Sequence, residues 1–308
     1  MNQENNALIY FLNGMFLSES ELSISPLDRG FLLGDGAFET IKAVNATPFR
    51  LPQHYNRLAA AVRFLEIGEI PPLKEIENII HELISKNNLV DAYIRITVSS
   101  GIEGSKFPTL FIIAKPFEPY PGELYKKGAR ILLSKYRKCE LTPAAGLKTT
   151  SYEENLILRR EARFYNCFES MICNHEDFIC EGSFSNIFAV IDGRITTPDT
   201  KLPILPGVTR QAVIDVCREN QIMVIEDRFF LEDLLLAEEV FLSSTLTDIM
   251  PVTSVLTYPE MGNHPASKSQ TNKKDMKVNI ISDGKPGQLT KKLMSLLVKK
   301  IKLECTKK

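Results

Sequence analysis

Leu147-Lys148-Thr149-Thr150-Ser151-Tyr152 sets one lysine among small and hydroxyl residues, just ahead of an amphipathic helix pattern. Taken alone, Lys148 reads as a solvated side chain before a helix. Three downstream segments change that reading. An acid stands in Glu181-Gly182-Ser183-Phe184-Ser185-Asn186-Ile187-Phe188, at the edge of a strand pattern. Then come Leu205-Pro206-Gly207-Val208-Thr209-Arg210 and Ser243-Ser244-Thr245. The first of these two opens a helix, whose orphan N–H groups and positive dipole end attract an anion. Gly207 lets an anion approach the backbone closely. Ser244 and Thr245 add hydroxyl donors after a strand.

One amine, one carboxylate and two anion cradles, in that order, are the parts that hold pyridoxal 5'-phosphate. The amine forms the Schiff base, the carboxylate keeps the ring nitrogen protonated, and the cradles take the phosphate. Each part has a plain counterpart: an exposed loop acid at Glu181, ordinary helix capping at Pro206 to Thr209, a surface loop at Ser244 and Thr245. The combination carries the reading, not any single residue.

The 308 residues suffice for two domains, and 44% hydrophobic with 24% charged residues is ordinary for a globular enzyme. A net charge of −1 provides no field that would draw nucleic acid or an anionic membrane. The lysine-rich end, Lys299 to Lys308, reads as a solvated helix end. No apolar run reaches the roughly 20 residues that span a bilayer. Met1 to Asn6 is polar without basic residues, unlike a targeting peptide, so the cytoplasm is the expected compartment. Cysteines at 139, 167, 173, 180, 217 and 305 suit neither a zinc site nor a disulfide framework and read mostly as small buried hydrophobes. His54, His81, His175 and His264 form no ligand spacing, so no metal is expected.

Strand and helix patterns alternate along the chain, giving an α/β (α+β) class. Ile9 to Leu17 around Asn13-Gly14 predicts a hairpin. Ser23 to Gly36 reads as a loop into a strand at Ala37–Val44, with Phe38 and Glu39 on opposite faces. Helices are expected from Pro52, burying Tyr55, Leu58, Ala59, Val62 and Leu65, and over Leu73–Lys86, burying Ile76, Ile79, Ile80, Leu83 and Ile84. Strands come next at Ala92–Val98 and Thr109–Ala114. Three prolines between 116 and 121 exclude helix and stiffen a linker. The division is therefore 1–118, a linker at 119–123, and 124–308. In the second part, strands are expected at Ala129–Ser134, Ser170–Asn174, Asn186–Ile191, Arg194–Thr197 and Glu239–Ser243, with helices near Tyr152–Tyr165 and Val208–Asn220. Residues 257–276 are polar and aperiodic and read as a surface insertion.

Two further cations have open readings. Arg57 sits on the polar side of the first long helix, either a surface arginine or a phosphate donor. In Tyr93-Ile94-Arg95-Ile96-Thr97-Val98, alternation puts Tyr93, Arg95 and Thr97 on one face and an aliphatic core face opposite. Arg95 then belongs to a carboxylate-binding wall or to a solvent-facing sheet, two readings that stand level.

These segments resemble the class IV aminotransferases, the fold-type IV pyridoxal-phosphate enzymes. That family includes branched-chain and D-amino-acid transaminases and aminodeoxychorismate lyase. Asp28 to Glu39, His54 to Leu58, and Gly284-Lys285-Pro286-Gly287 match it as well, in the expected order. The resemblance implies a small N-terminal α/β domain and a larger cofactor-binding C-terminal domain with a barrel-like core. It implies Lys148 as Schiff-base lysine and proton shuttle, and Glu181 at the ring nitrogen. Tyr152 would stand near the phenolic oxygen, and Arg57, Val208, Thr209, Ser244 and Thr245 at the phosphate. It also implies a homodimer.

Ser100 replaces an arginine common in relatives, and Gly101 to Phe107 lacks the Arg-x-His carboxylate trap of D-amino-acid transaminases, which weakens that reading. Tyr93-Ile94-Arg95 is similar to the branched-chain type, whereas Thr40 is as similar to the lyase. The expected activity is transfer of an amino group from a branched-chain or other apolar amino acid to a 2-oxo acid such as 2-oxoglutarate. Phe31 and Phe38 would wall the apolar side. Alternatives are the lyase that releases pyruvate, a D-amino-acid transaminase, and a non-catalytic module on the same fold.

Overall fold

The computed structural model describes residues 7–105, 107–259 and 272–306. It separates into two compact units. The first takes Met1–Pro119, Leu147–Tyr152 and Lys300–Lys308; the second takes Tyr120–Gly146 and Glu153–Lys299.

The first unit is built on a six-stranded antiparallel sheet. Its strands are β1 (Ile9–Leu12), β2 (Met15–Ser18), β3 (Gly36–Val44), β4 (Thr47–Pro48), β5 (Ala92–Ser99) and β6 (Thr109–Pro116), in the order β2-β1-β6-β5-β3-β4. Asn13 and Gly14 both take positive φ, 49° and 90°, as the tight turn between β1 and β2 requires. In β5 alternation works as expected: Ala92, Ile94, Ile96 and Val98 are fully buried, Tyr93, Arg95 and Thr97 only partly. Burying each of the larger aliphatics contributes about 1.5–3 kcal/mol. Helices α2 (Leu51–Phe64) and α3 (Leu73–Lys86) pack on this core, and α3 buries all five isoleucine and leucine positions expected of it. The buried stripe of α2 runs through Leu51, His54, Leu58, Ala61 and Val62, with Tyr55 and Leu65 packed partly buried against the same core and Ala59 only half-buried.

The stretch expected as a plain loop before β3 contains a short helix, α1 (Arg29–Leu33). Asp28 caps it by accepting from Gly30 N at 2.7 Å, and Gly34 closes it in the left-handed region at φ 69°. Asp28 also accepts from Ser99 Oγ at 2.7 Å and Thr109 Oγ1 at 2.6 Å.

The second unit carries a nine-stranded mixed sheet that curls into a half-barrel. It comprises β7 (Ala129–Lys138), β8 (Glu169–Asn174), β9 (Ile179–Gly182), β10 (Asn186–Ile191), β11 (Arg194–Thr197), β12 (Val224–Glu226), β13 (Glu239–Ser244), β14 (Asp248–Thr257) and β15 (Lys277–Ile280). Helices α4 (Gly122–Lys127), α5 (Glu153–Phe164), α6 (Val208–Glu219) and α7 (Leu231–Leu236) accompany it, and α8 (Gln288–Glu304) ends the chain. The fold class is therefore the expected mixed α/β one with two sheets.

Two boundaries differ from expectation. β14 is a ten-residue strand that was not among those expected, and it contains Pro251, a residue rare inside central strands. Pro251 pairs with Phe241 of β13, whereas the pairing of β14 with β7 begins only at Val252, so the missing N–H interrupts neither ladder run. The polar stretch 257–276 is narrower than expected. Thr257 ends β14, Lys273–Asp275 forms a 3₁₀ turn, and Met276 is buried beside Leu132 and Tyr258. Residues 260–271 lie outside the described residues. Among the described residues no helix is long and apolar enough to cross a membrane.

Candidate active site

In the first unit, the Lys148 segment runs along β3. Phe38 N donates to Lys148 O at 3.0 Å and Thr150 N to Gly36 O at 2.8 Å, with an antiparallel bridge between Ala37 and Thr149. These backbone bonds, not the helix after them, set the position of Lys148. Its Nζ stands 4.4 Å from the Phe38 ring centre and 5.4 Å from that of Tyr152. Tyr152 meets Phe38 edge-on at 5.2 Å. The Arg95 guanidinium lies 3.8 Å from the same Phe38 ring, and its Nε donates to Thr97 Oγ1 at 3.1 Å. One aromatic ring thus gathers an amine, a guanidinium and a phenol, each held by backbone pairing or by a neighbouring side chain.

One residue further along β3, Glu39 is fully buried. Arg57 donates to it twice, Nε to Oε1 at 2.7 Å and Nη2 to Oε2 at 2.8 Å, and His54 Nδ1 donates to Oε2 at 2.7 Å. Burial would raise the Glu39 carboxyl, but the Arg57 charge and the hydrogen bonds from His54 and Arg57 outweigh it and bring it to about 2. Burial holds the His54 imidazole below its ordinary value, so the ring is neutral and Nδ1–H is the donor. Neither Glu39 nor His54 was legible as part of the site. Glu39 interrupts the aliphatic face of β3, and His54 lies on the observed buried face of α2 outside the stripe expected of that helix.

Phe31 lies on α1, 76% exposed. It lines a cleft of about 380 Å³ with Ile24, Asp28, Thr97, Phe111 and Thr150, and Phe38 is absent from that lining. The two phenylalanines expected to share one wall do not share this one.

In the second unit, Glu181 is a buried residue within β9, not an exposed loop acid. Its Oε1 pairs with Lys138 Nζ, and its Oε2 accepts from Leu205 N at 2.8 Å and Asn186 Nδ2 at 3.5 Å. Lys138 and Asn186 are neighbours to which no sequence pattern pointed. Lys138 closes a charged run, Lys135 to Lys138, which looked like the end of the strand, whereas β7 continues through it.

Gly207 is the N-cap of α6 and makes no side-chain capping bond. Its lack of a side chain has a nearer cause than an incoming anion: a Cβ there would stand 2.1 Å from Asn186 Oδ1. Val208 and Thr209 are buried in the first turn of α6. Ser244 and Thr245 are half-buried, and Ser244 Oγ lies 2.8 Å from Thr247 Oγ1. The next hydroxyl back, Ser243 Oγ, is buried without a protein partner.

Behind Glu181 lies another carboxylate that no motif singles out. Glu169 is fully buried and accepts from Ser170 N (2.9 Å), Ser183 N (3.0 Å), Ser183 Oγ (2.6 Å), Phe184 N (3.2 Å) and Ser185 Oγ (2.9 Å). It therefore holds the turn that joins Glu181 to Asn186.

Each unit holds groups of the kind that pyridoxal phosphate needs: the first a primary amine beside aromatic rings, the second a buried carboxylate oriented by a lysine and a backbone N–H, and a twelve-residue helix whose start lacks a side-chain cap. Five of the six cysteines are buried and all six are free. Burial pushes the thiols of Cys167, Cys173, Cys180 and Cys217 up to about 12, which leaves them inert. Among the described residues no group of three or more histidine, cysteine or acidic side chains could hold a metal.

Comparison with known proteins agrees with this chemistry. The family model for amino-transferase class IV matches residues 36–255. A Methanocaldococcus jannaschii protein, provisionally named a branched-chain-amino-acid aminotransferase, is 35% identical over 79% of this chain and 86% of its own. The aminodeoxychorismate lyase of Bacillus subtilis is 30% identical over 80% of this chain and 86% of its own. The crystal structure of an Escherichia coli branched-chain amino acid aminotransferase superposes with a TM-score of 0.84 at 26% identity, covering 98% of this chain and 97% of that one. The chain is thus a class IV aminotransferase, a pyridoxal-phosphate enzyme with the fold-type IV architecture of its family.

Proposed function

We propose that the chain moves an amino group from a branched-chain or other apolar amino acid to a 2-oxo acid such as 2-oxoglutarate. The observation that carries this is the convergence of Lys148 Nζ and the Arg95 guanidinium on one face-sharing partner, Phe38, at 4.4 and 3.8 Å. Two cations beside an apolar ring suit a substrate with a carboxylate and a hydrocarbon side chain. Arg95 receives the carboxylate, with Thr97 fixing its Nε, while Phe38 offers apolar surface to the side chain.

Lys148 Nζ would hold the cofactor and, once freed by the incoming amine, would take up the proton that leaves the substrate Cα. When bound, pyridoxal phosphate draws electrons from the bond that breaks at Cα. Glu181 holds a proton at the ring nitrogen, oriented for this by Lys138 and the Leu205 N–H. Tyr152 stands by the phenolic oxygen. Arg57, Gly207, Val208, Thr209, Ser244 and Thr245 hold the phosphate. Mixing purified protein with donor amino acids of both enantiomers tests the reading through the visible band of the lysine-bound cofactor. Branched-chain L-amino acids are expected to bleach the band and yield the matching 2-oxo acid. Bleaching without oxo acid rejects transamination.

The lyase reading draws support from the 30% identical Bacillus subtilis relative. Pyruvate released from aminodeoxychorismate with no amino acceptor present would favour it. We further infer a cytoplasmic homodimer. Free thiols suit a reducing compartment. Leu27, Phe31, Leu32, Leu33 and Phe107, each more than half exposed, form surface that a second copy would cover. Light scattering is expected to give twice the 34.8 kDa of one chain, and a monomer mass rejects the dimer.

A further inference from the structure

The buried pair of Glu39 and Arg57 is an unusual way to join β3 to α2. The neighbours of Glu39 on that face, Ala37 and Ile41, are fully buried, and Leu51 and Leu58 of α2 are buried in the same core. An aliphatic side chain at position 39 would pack there without the desolvation that an ionised carboxylate suffers. What the carboxylate supplies is direction. Arg57 donates to it through both Nε and Nη2, a fork that fixes the guanidinium plane. His54 Nδ1–H donates to the oxygen that also receives Nη2, which stops the carboxylate from turning. His54, Glu39 and Arg57 thus form a chain of fixed orientation that ends on the arginine, whose side chain is 15% exposed.

We propose that Glu39 is a positioning residue for the cofactor phosphate, acting by setting the direction of the Arg57 guanidinium. This rests on the reading of Arg57 as a phosphate contact. Glutamine at position 39 keeps one acceptor but turns an NH₂ toward Nη2 and Nδ1, so the fork breaks while the shape is kept.

The test compares dissociation constants of pyridoxal phosphate and of pyridoxal, which lacks the phosphate, for the purified full chain after cofactor removal. Glu39→Gln is expected to weaken pyridoxal phosphate about tenfold and pyridoxal by less than about twofold, because only the charge-assisted contact is misaligned. Arg57→Gln is expected to lower the ratio of the pyridoxal constant to the pyridoxal phosphate constant in the same way, and the double variant to lower it no further. General loosening of the fold would weaken both ligands alike. If Arg57→Gln leaves the ratio unchanged, the phosphate reading of Arg57 fails and the proposal with it. If Arg57→Gln lowers the ratio and Glu39→Gln does not, Arg57 stands and the positioning role is overturned. Should Glu39→Gln not fold, Glu39→Asp retains the charge with a shorter reach. It is expected to lower the ratio, and an unchanged ratio overturns the proposal.

Discussion

Lys148→Ala protein is expected to take up no covalently held cofactor and to lose turnover by on the order of 10⁵-fold or more, the scale seen when an essential nucleophile is removed. The reason is chemical, since alanine has no amine and nothing near it can substitute. Among the described residues, the lysine placed beside another proposed site group is Lys138, and its Nζ is taken by Glu181. Stability should hardly change. Lys148 is only half-buried, and its segment is held by backbone bonds to β3 that the substitution leaves in place. A shift within about 1 kcal/mol is expected for such a site. Absorption spectra, borohydride trapping and thermal melts on the same preparation check all of this. A variant that still traps cofactor and turns over within tenfold of the parent would move the chemistry to another residue.

Glu169→Gln is expected to produce the largest loss of stability. All five groups aimed at Glu169 are donors. A glutamine oxygen satisfies one side, whereas its NH₂ faces either the Ser170 and Ser183 donors or those of Phe184 and Ser185. Leaving two or three buried donors opposed costs about 3 kcal/mol, or roughly 6–12 °C in Tm for a unit of this size. The loss should depend on pH in a defined sense. Burial pushes Glu169 up to about 7 from 4.5, with the hydrogen bonds acting in the opposite direction. A raised folded value means that the native state binds the extra proton. The parent's stability from this group is complete below 4.5 and is lost as pH rises through about 7. Glutamine does not titrate, so the gap between variant and parent should narrow between pH 5 and pH 8. Denaturant melts at those two values decide it. A gap that stays constant instead would mean the five donors keep Glu169 ionised throughout.

How much of the molecule is legible in its sequence depends on which interactions are local. The Asn13-Gly14 hairpin, the stripe of α3 and the alternation in β5 depend on neighbours in the chain, and each was plain. Lys148 and Glu181 could be picked out as candidates because their residue types stand in a telling order. Their surroundings were not. Lys138, Asn186, Glu169, Glu39 and His54 acquire meaning only from partners across a sheet or on another element. In isolation each looks like a flaw in an apolar pattern or part of a charged run. Chain order also sets Lys148 after the linker, yet Leu147–Tyr152 clusters with the first unit because its partner strand is β3. No period or propensity announces a pairing of that range. β14 was not among the expected strands; it spans Asp248–Thr257 and pairs with β13, β15 and β7.

The alliance of the Lys148 segment with β3 also bears on how the protein comes into being. Thr150 Oγ1 reaches Gly34 O across 116 residues of chain, so the amine cannot settle until a very long loop has closed. Loop length itself adds little entropy, but remote pairings are slow to find. With Lys148 as the proposed cofactor lysine, loading is expected to follow the closure of this loop instead of seeding the sheet.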